Sequence, residues 1–269
     1  MKRWISLAGV ACIAGATAVL GAGTASAADT GTVYVVHSIP GTPVDVYVDG
    51  TKALDDFQPA TAQGPLQVPA GAHQIAITAA DAADDSSPVL SGTADVVAGS
   101  NVSLVAHLDA DGAPSLTAFN DDVSAVPAGQ ARLVVRHTAA APAVDVRAGG
   151  TVVLSDVTNG QQGALVVPAG TVSADVVLAG TDTVAIGPAD VDLAEGTATF
   201  VHAIGSASDK TLALVSFTVD GLGSAPSGVP AGTGPQDSAV PGTVVAALVV
   251  VGAGLALVSA RRLTAGRAR

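Results

Sequence analysis

A twelve-residue segment occurs twice in this chain, one hundred residues apart. Val35-Val36-His37-Ser38-Ile39-Pro40-Gly41-Thr42-Pro43-Val44-Asp45-Val46 returns as Val135-Arg136-His137-Thr138-Ala139-Ala140-Ala141-Pro142-Ala143-Val144-Asp145-Val146. The histidine, the proline-containing turn and the Val-Asp-Val keep their order. A repeat of this length means that one small unit is built twice, which constrains the fold before any single residue is weighed. The correspondence continues. Gly50-Thr51 and Leu54 match Gly150-Thr151 and Leu154, and Val68-Pro69-Ala70-Gly71 returns as Val167-Pro168-Ala169-Gly170. Residues 102–108 line up with 198–204; His107 and His202, one place out of step in that alignment, are read as counterparts, and Leu116 and Phe119 pair with Leu214 and Phe217. The drift in offset places small insertions and deletions in loops, where they are tolerated.

Within each copy the apolar residues alternate. Val44, Val46 and Val48 face one way, and Asp45, Tyr47 and Asp49 the other; in the second copy Val144, Val146 and Ala148 keep the first set. Period two over five to seven valine-rich residues is the pattern of a half-buried strand. Further strands are predicted over residues 32–37, 66–68, 73–78, 88–97, 102–108 and 115–119, separated by turn signals such as Asp49-Gly50 and Asp111-Gly112. About seven short strands per hundred residues predict an all-β chain of two tandem immunoglobulin-like β-sandwiches.

His37 through Gly50, followed by Val68-Pro69-Ala70-Gly71, resembles the domain of unknown function numbered 4397. That family opens with Val-His-Ala-Ser-Pro-Asp-Ala-Pro and continues Val-Asp-Val-Tyr-Val-Asp-Gly. The first copy is close to this pattern. The second keeps His137, Pro142, Val144-Asp145-Val146 and Gly150 but has Arg147-Ala148-Gly149 in place of Tyr-Val-Asp. The resemblance implies exported bacterial proteins built of β-sandwich domains, often anchored, with no established activity.

The two ends read as addresses. Met1-Lys2-Arg3-Trp4 precedes an apolar run and then Ala25-Ser26-Ala27, the small-x-small pattern of a signal peptide ending at residue 27. The single cysteine, Cys12, lies inside it, with Gly9 where a lipobox needs an aliphatic residue, so the mature chain has no thiol chemistry. Residues 243–260 are uncharged and apolar, close to the ~20 residues that cross a bilayer. Arg261, Arg262, Arg267 and Arg269 follow, and the positive-inside rule keeps them in the cytoplasm with the repeats outside. The predicted organisation is therefore a signal peptide (1–27), first repeat (28–126), second repeat (127–222), Pro/Gly-rich stalk (223–241), transmembrane helix (242–260) and basic tail (261–269). Val229-Pro230-Ala231-Gly232-Thr233-Gly234 departs from a sortase motif in its first residue and its spacing, which disfavours wall attachment.

All 23 acidic residues lie between Asp29 and Asp237, against five basic ones there, a net charge of −18. Such a surface repels nucleic acid and anionic headgroups.

Four sets of residues are candidates for chemistry. His37 and His137 each precede an aspartate, Asp45 and Asp145, by eight residues, the raw material of a His–Asp catalytic or metal pair. Strand alternation separates them, and a histidine ending a strand and bonded to the next turn explains the recurrence. His107 and His202 read as structural in the same way. Asp109-Ala110-Asp111-Gly112 resembles the start of a calcium loop but lacks the later ligands, and Asp-Gly is a common hairpin turn. Asp84-Asp85 and Asp121-Asp122 read as solvated loop pairs. No nucleophile elbow, phosphate loop or Cys–His metal spacing appears. No catalytic, cofactor-binding or metal residue is assigned, and no cofactor is expected. The chain reads as a non-enzymatic cell-envelope protein, held in the cell membrane by its C-terminal helix, whose tandem sandwiches meet an envelope protein or wall component. The alternative is an extracellular domain that senses a small ligand or cation.

Overall fold

The computed structural model describes residues 29–224, all strand and turn. The predicted signal peptide, transmembrane helix and basic tail lie outside the described residues, as does the stalk beyond Ser224. Each copy contributes eight strands. The first has β1 (Thr30–His37), β2 (Val44–Val48), β3 (Thr51–Phe57), β4 (Thr61–Pro69), β5 (Gly71–Ala79), β6 (Leu90–Val96), β7 (Asn101–Leu108) and β8 (Pro114–Asp121). The second repeats them as β9 (Gln130–His137), β10 (Val144–Ala148), β11 (Thr151–Val157), β12 (Gln161–Pro168), β13 (Gly170–Leu178), β14 (Val184–Leu193), β15 (Ala198–Ile204) and β16 (Ala213–Val219).

Each copy forms two four-stranded sheets with the same order. In the first these are β4-β1-β7-β8 and β3-β2-β5-β6; in the second, β12-β9-β15-β16 and β11-β10-β13-β14. The two-sheet sandwich meets expectation, but its connectivity is not the immunoglobulin one. Eight strands form two sheets of four, and β1 runs parallel to β7 beside it. The additional strand is β3. Its sequence, Thr-Lys-Ala-Leu-Asp-Asp-Phe, is polar and mostly exposed because it lies on a sheet edge, so it carries little apolar alternation to read.

The alternation in β2 does its predicted work. Val44, Val46 and Val48 join Val33, Val35, Ile75, Ile77 and Leu104 in the first core. The second core gathers Leu133, Val135, Val146, Leu193 and Val201.

The sandwiches also pack against each other. β1, β7, β9 and β15 are buried along nearly their whole length, the pattern of a sheet covered on both faces. Val36, Val105 and Phe119 of the first copy form one cluster with Ile204 and Val215 of the second. Tyr34 stacks on Phe217 at 4.4 Å between ring centroids. The layers therefore run outer sheet, inner sheet, inner sheet, outer sheet. Of the six aromatic residues between the predicted signal peptide and the stalk, Tyr34, Phe119, Phe200 and Phe217 lie at this joint.

Candidate functional site

The candidate His–Asp pairs have separate hydrogen-bond partners, as strand alternation led us to expect. His37, 2 % exposed at the end of β1, meets the Thr42 carbonyl through Nε2 at 3.3 Å. His137 donates in the same way to the Pro142 carbonyl at 2.9 Å. Burial pushes both imidazoles below their ordinary pKa, so they are neutral at pH 7. The aspartates serve elsewhere. Asp45 accepts from the Asp56 backbone N–H at 2.9 Å, and Asp145 from that of Asp156 at 2.8 Å. Asp56 and Asp156 have φ near +50°, so each Val-Asp-Val carboxylate fixes an irregular point in the neighbouring edge strand. Its second oxygen takes Lys52 in the first copy and the Gly180 N–H in the second. The Lys52 ammonium above all, and then the Asp56 N–H, hold the Asp45 carboxyl below its usual range against its burial.

The acidic turn is likewise occupied by its own backbone. Asp109 accepts from the N–H groups of Asp111 and Ala113, closing the β7–β8 hairpin. Among the described residues no group of three or more His, Cys, Asp or Glu converges as for a metal. Asp84 caps the Ser86 N–H in an exposed loop.

Two expectations are corrected. Asp121 is not solvated: it ends β8, has a fully buried side chain and pairs with Arg136 of the second copy at 2.5 Å. The turn-like Asp-Asp spelling hides this, because the partner is supplied by the other sandwich. His107 and His202 do not correspond either. In the parallel pairs Val36 faces Val105 and Arg136 faces His202, so His202 takes the place of Val105 and His107 that of Ile204. Both histidines still face the joint. His107 bonds the Leu108 carbonyl and Thr117 hydroxyl, whereas neither ring nitrogen of His202 has a partner.

The site that the sequence did not single out is a cleft of about 500 Å³ inside the first sandwich. Its walls are aliphatic, among them Val35, Val48, Leu66, Ile75, Ala94 and Leu104 from both sheets, and its polar lining is Asp49, Thr51, Gln67 and His73. The Asp49-Gly50 turn explains the polar end. Both residues have positive φ, as a two-residue type I′ hairpin requires, and this sets the Asp49 carboxylate against β5. Asp49 accepts from the Gln74 N–H at 2.8 Å and meets His73 Nδ1 at 2.7 Å, while His73 Nε2 meets the Pro69 carbonyl at 2.8 Å. Two acceptors on one ring are satisfied together only by the imidazolium. Consistently, the Asp49 carboxylate raises His73 above its ordinary pKa, and His73 lowers Asp49.

The second copy lacks the cleft, its counterpart measuring about 30 Å³. Strand register shows why. Ala53, Ala94 and Val96 are replaced by Val153, Val191 and Leu193, which fill the space. Leu154 also fits against Gly163, where an added Cβ would come within 2.6 Å of it; the first copy has Gln63 there and a register shift in β4. The clasp changes in concert, with Gly149 for Asp49 and Val172 for His73. The signal available in the sequence was this paired departure between the copies.

Residues 31–147 match DUF4397, a domain of unknown function. The match supports that family for a segment that takes in the first sandwich from Gly31 onward, its cleft, and β9 and most of β10 of the second. No curated protein matches the chain.

Proposed function

We propose that the chain is a non-enzymatic module of the cell envelope. In this reading both sandwiches are copies of the DUF4397 domain, lie outside the cell and are held to the membrane by residues 242–260. Their loops or sheet edges meet an envelope protein or wall component, and nucleic acid is not a partner. The observation that carries the reading is the joint: two sandwiches packed through a buried aromatic layer form a stiff body suited to holding a surface away from the membrane. The recurring histidines and aspartates support a non-catalytic role, since turn carbonyls and backbone N–H groups occupy them.

The test uses the full chain in its own cells. Protease added to intact cells should remove residues 28–222, and cross-linking through the sandwiches should give a discrete adduct lost when exposed loops are replaced. Substrate turnover abolished by His37→Ala and His137→Ala would overturn the reading.

A second reading, an extracellular domain binding a small ligand, is favoured by the cleft in the first sandwich. An apolar concavity with a few convergent polar groups and a perturbed histidine is the usual form of a ligand site.

A further inference from the structure

We infer that the cleft of the first sandwich binds a single aliphatic chain bearing an uncharged or cationic head. This rests on the ligand-binding reading and gives it a chemical class. Three observations support it. The apolar walls carry no aromatic side chain, so nothing stacks a flat ring, while valines, leucines and Ile75 offer dispersion contact to a chain. The space lies between two sheets, whose ~10 Å separation leaves a slot once facing side chains are short, as at Ala53 and Ala94. The polar end is a half-exposed Asp49 carboxylate balanced by a buried His73, on a domain rich in aspartate, so an anionic head is repelled and a cationic or neutral one accepted.

The duplication supplies an internal control. The second sandwich has the same strand order but fills the slot with Val153, Val191 and Leu193 and has neither member of the clasp. One copy is closed and the other open, within one chain.

The experiment places the full chain in nanodiscs of zwitterionic lipid and adds a dodecyl chain with a terminal diazirine and a trimethylammonium head. After photolysis, peptides are mapped by mass spectrometry. The expected result is labelling of peptides from β4, β5 and β6 at least fivefold above their β12, β13 and β14 counterparts. The triple variant A53V/A94V/V96L should reduce it to the level of the second copy while circular dichroism stays unchanged. The same chain with a carboxylate head should label at least fivefold less. Equal labelling of both copies, undiminished labelling of the triple variant, or equal labelling by the carboxylate probe would each overturn the inference. A thermal-shift panel of unrelated small molecules separates the two levels of failure. Shifts abolished by the triple variant, without labelling by the cationic probe, reject the aliphatic class alone; no such shift and no labelling reject ligand binding altogether.

Discussion

Arg136 of the second sandwich reaches across the joint to Asp121 of the first, and both side chains are wholly buried. The guanidinium lies between Phe119 and Phe200, 4.5 and 4.9 Å from their ring centroids, and Nε holds Gln162. Ser103 donates to the Asp121 carboxylate from the neighbouring strand. Burial pushes the Asp121 carboxyl up, and the Arg136 guanidinium opposes this. Each charge is thus sequestered on the condition that the other is present.

The corresponding residues in the opposite copies are Val36 and Val219, so the pair can be exchanged for the residues that the fold itself uses there. Arg136→Val and Asp121→Val should each cost about 3–5 kcal/mol, because each strands a buried charge. The double variant should cost well under their sum. Urea denaturation of the four proteins measures the coupling, and additive costs would contradict it.

His202 predicts an acid response. His37, His107, His137 and His202 are all held below their ordinary pKa, with burial the largest cause. Their contribution is complete above the unfolded value of about 6.5 and declines as pH falls below it, because the unfolded chain takes up protons that the fold refuses. Each histidine still neutral in the fold contributes a slope of about 1.4 kcal/mol per pH unit. His202→Leu removes one such proton and two unpartnered nitrogens. It should stabilise the protein by about 1 kcal/mol at pH 7 and flatten the decline between pH 6 and 5. An unchanged slope by denaturation at each pH would count against this.

His73 should behave oppositely. Its pKa is raised by Asp49, so its contribution is complete below about 6.5 and lost as pH rises through the folded value; that of Asp49, whose pKa is lowered, is lost only under acid. In NMR titration His73 should be the last histidine to lose its proton, and Asp49→Asn should move its midpoint down. If the midpoint stays where it is, the clasp is not what sets it.

Gly64 lies against the ring of Tyr34: an added Cβ would approach Cδ1 to 2.6 Å, at a φ of +153°. Gly64→Ala should displace Tyr34 from Phe217 and lower stability by about 1–3 kcal/mol. Near-ultraviolet circular dichroism reads the loss of stacking, and an unchanged tyrosine signal would show that β4 adjusts without it.

The sandwiches were legible because alternation and turn residues are local properties, and Val44, Val46 and Val48 state theirs plainly. The role of the histidines was legible for the same reason, as His37 and His137 bond to turns five residues on. Edge strand β3 was hidden by its polar sequence. The joint left only a partial trace: Val33-Tyr34-Val35-Val36 is a continuous apolar run, as a strand covered on both faces gives, but the run does not say what covers its second face. Arg136 and Asp121 are fifteen positions apart and meet only because two sheets stack. The cleft depends on the size of residues on different strands, and only comparison of the two copies exposes it.

Differential scanning calorimetry of residues 28–224 tests the central claim, that the joint makes two copies into one body. The account predicts a single transition with calorimetric and van't Hoff enthalpies in agreement, split or broadened in Arg136→Val. Two independent transitions in the native protein, unchanged by that substitution, would contradict it.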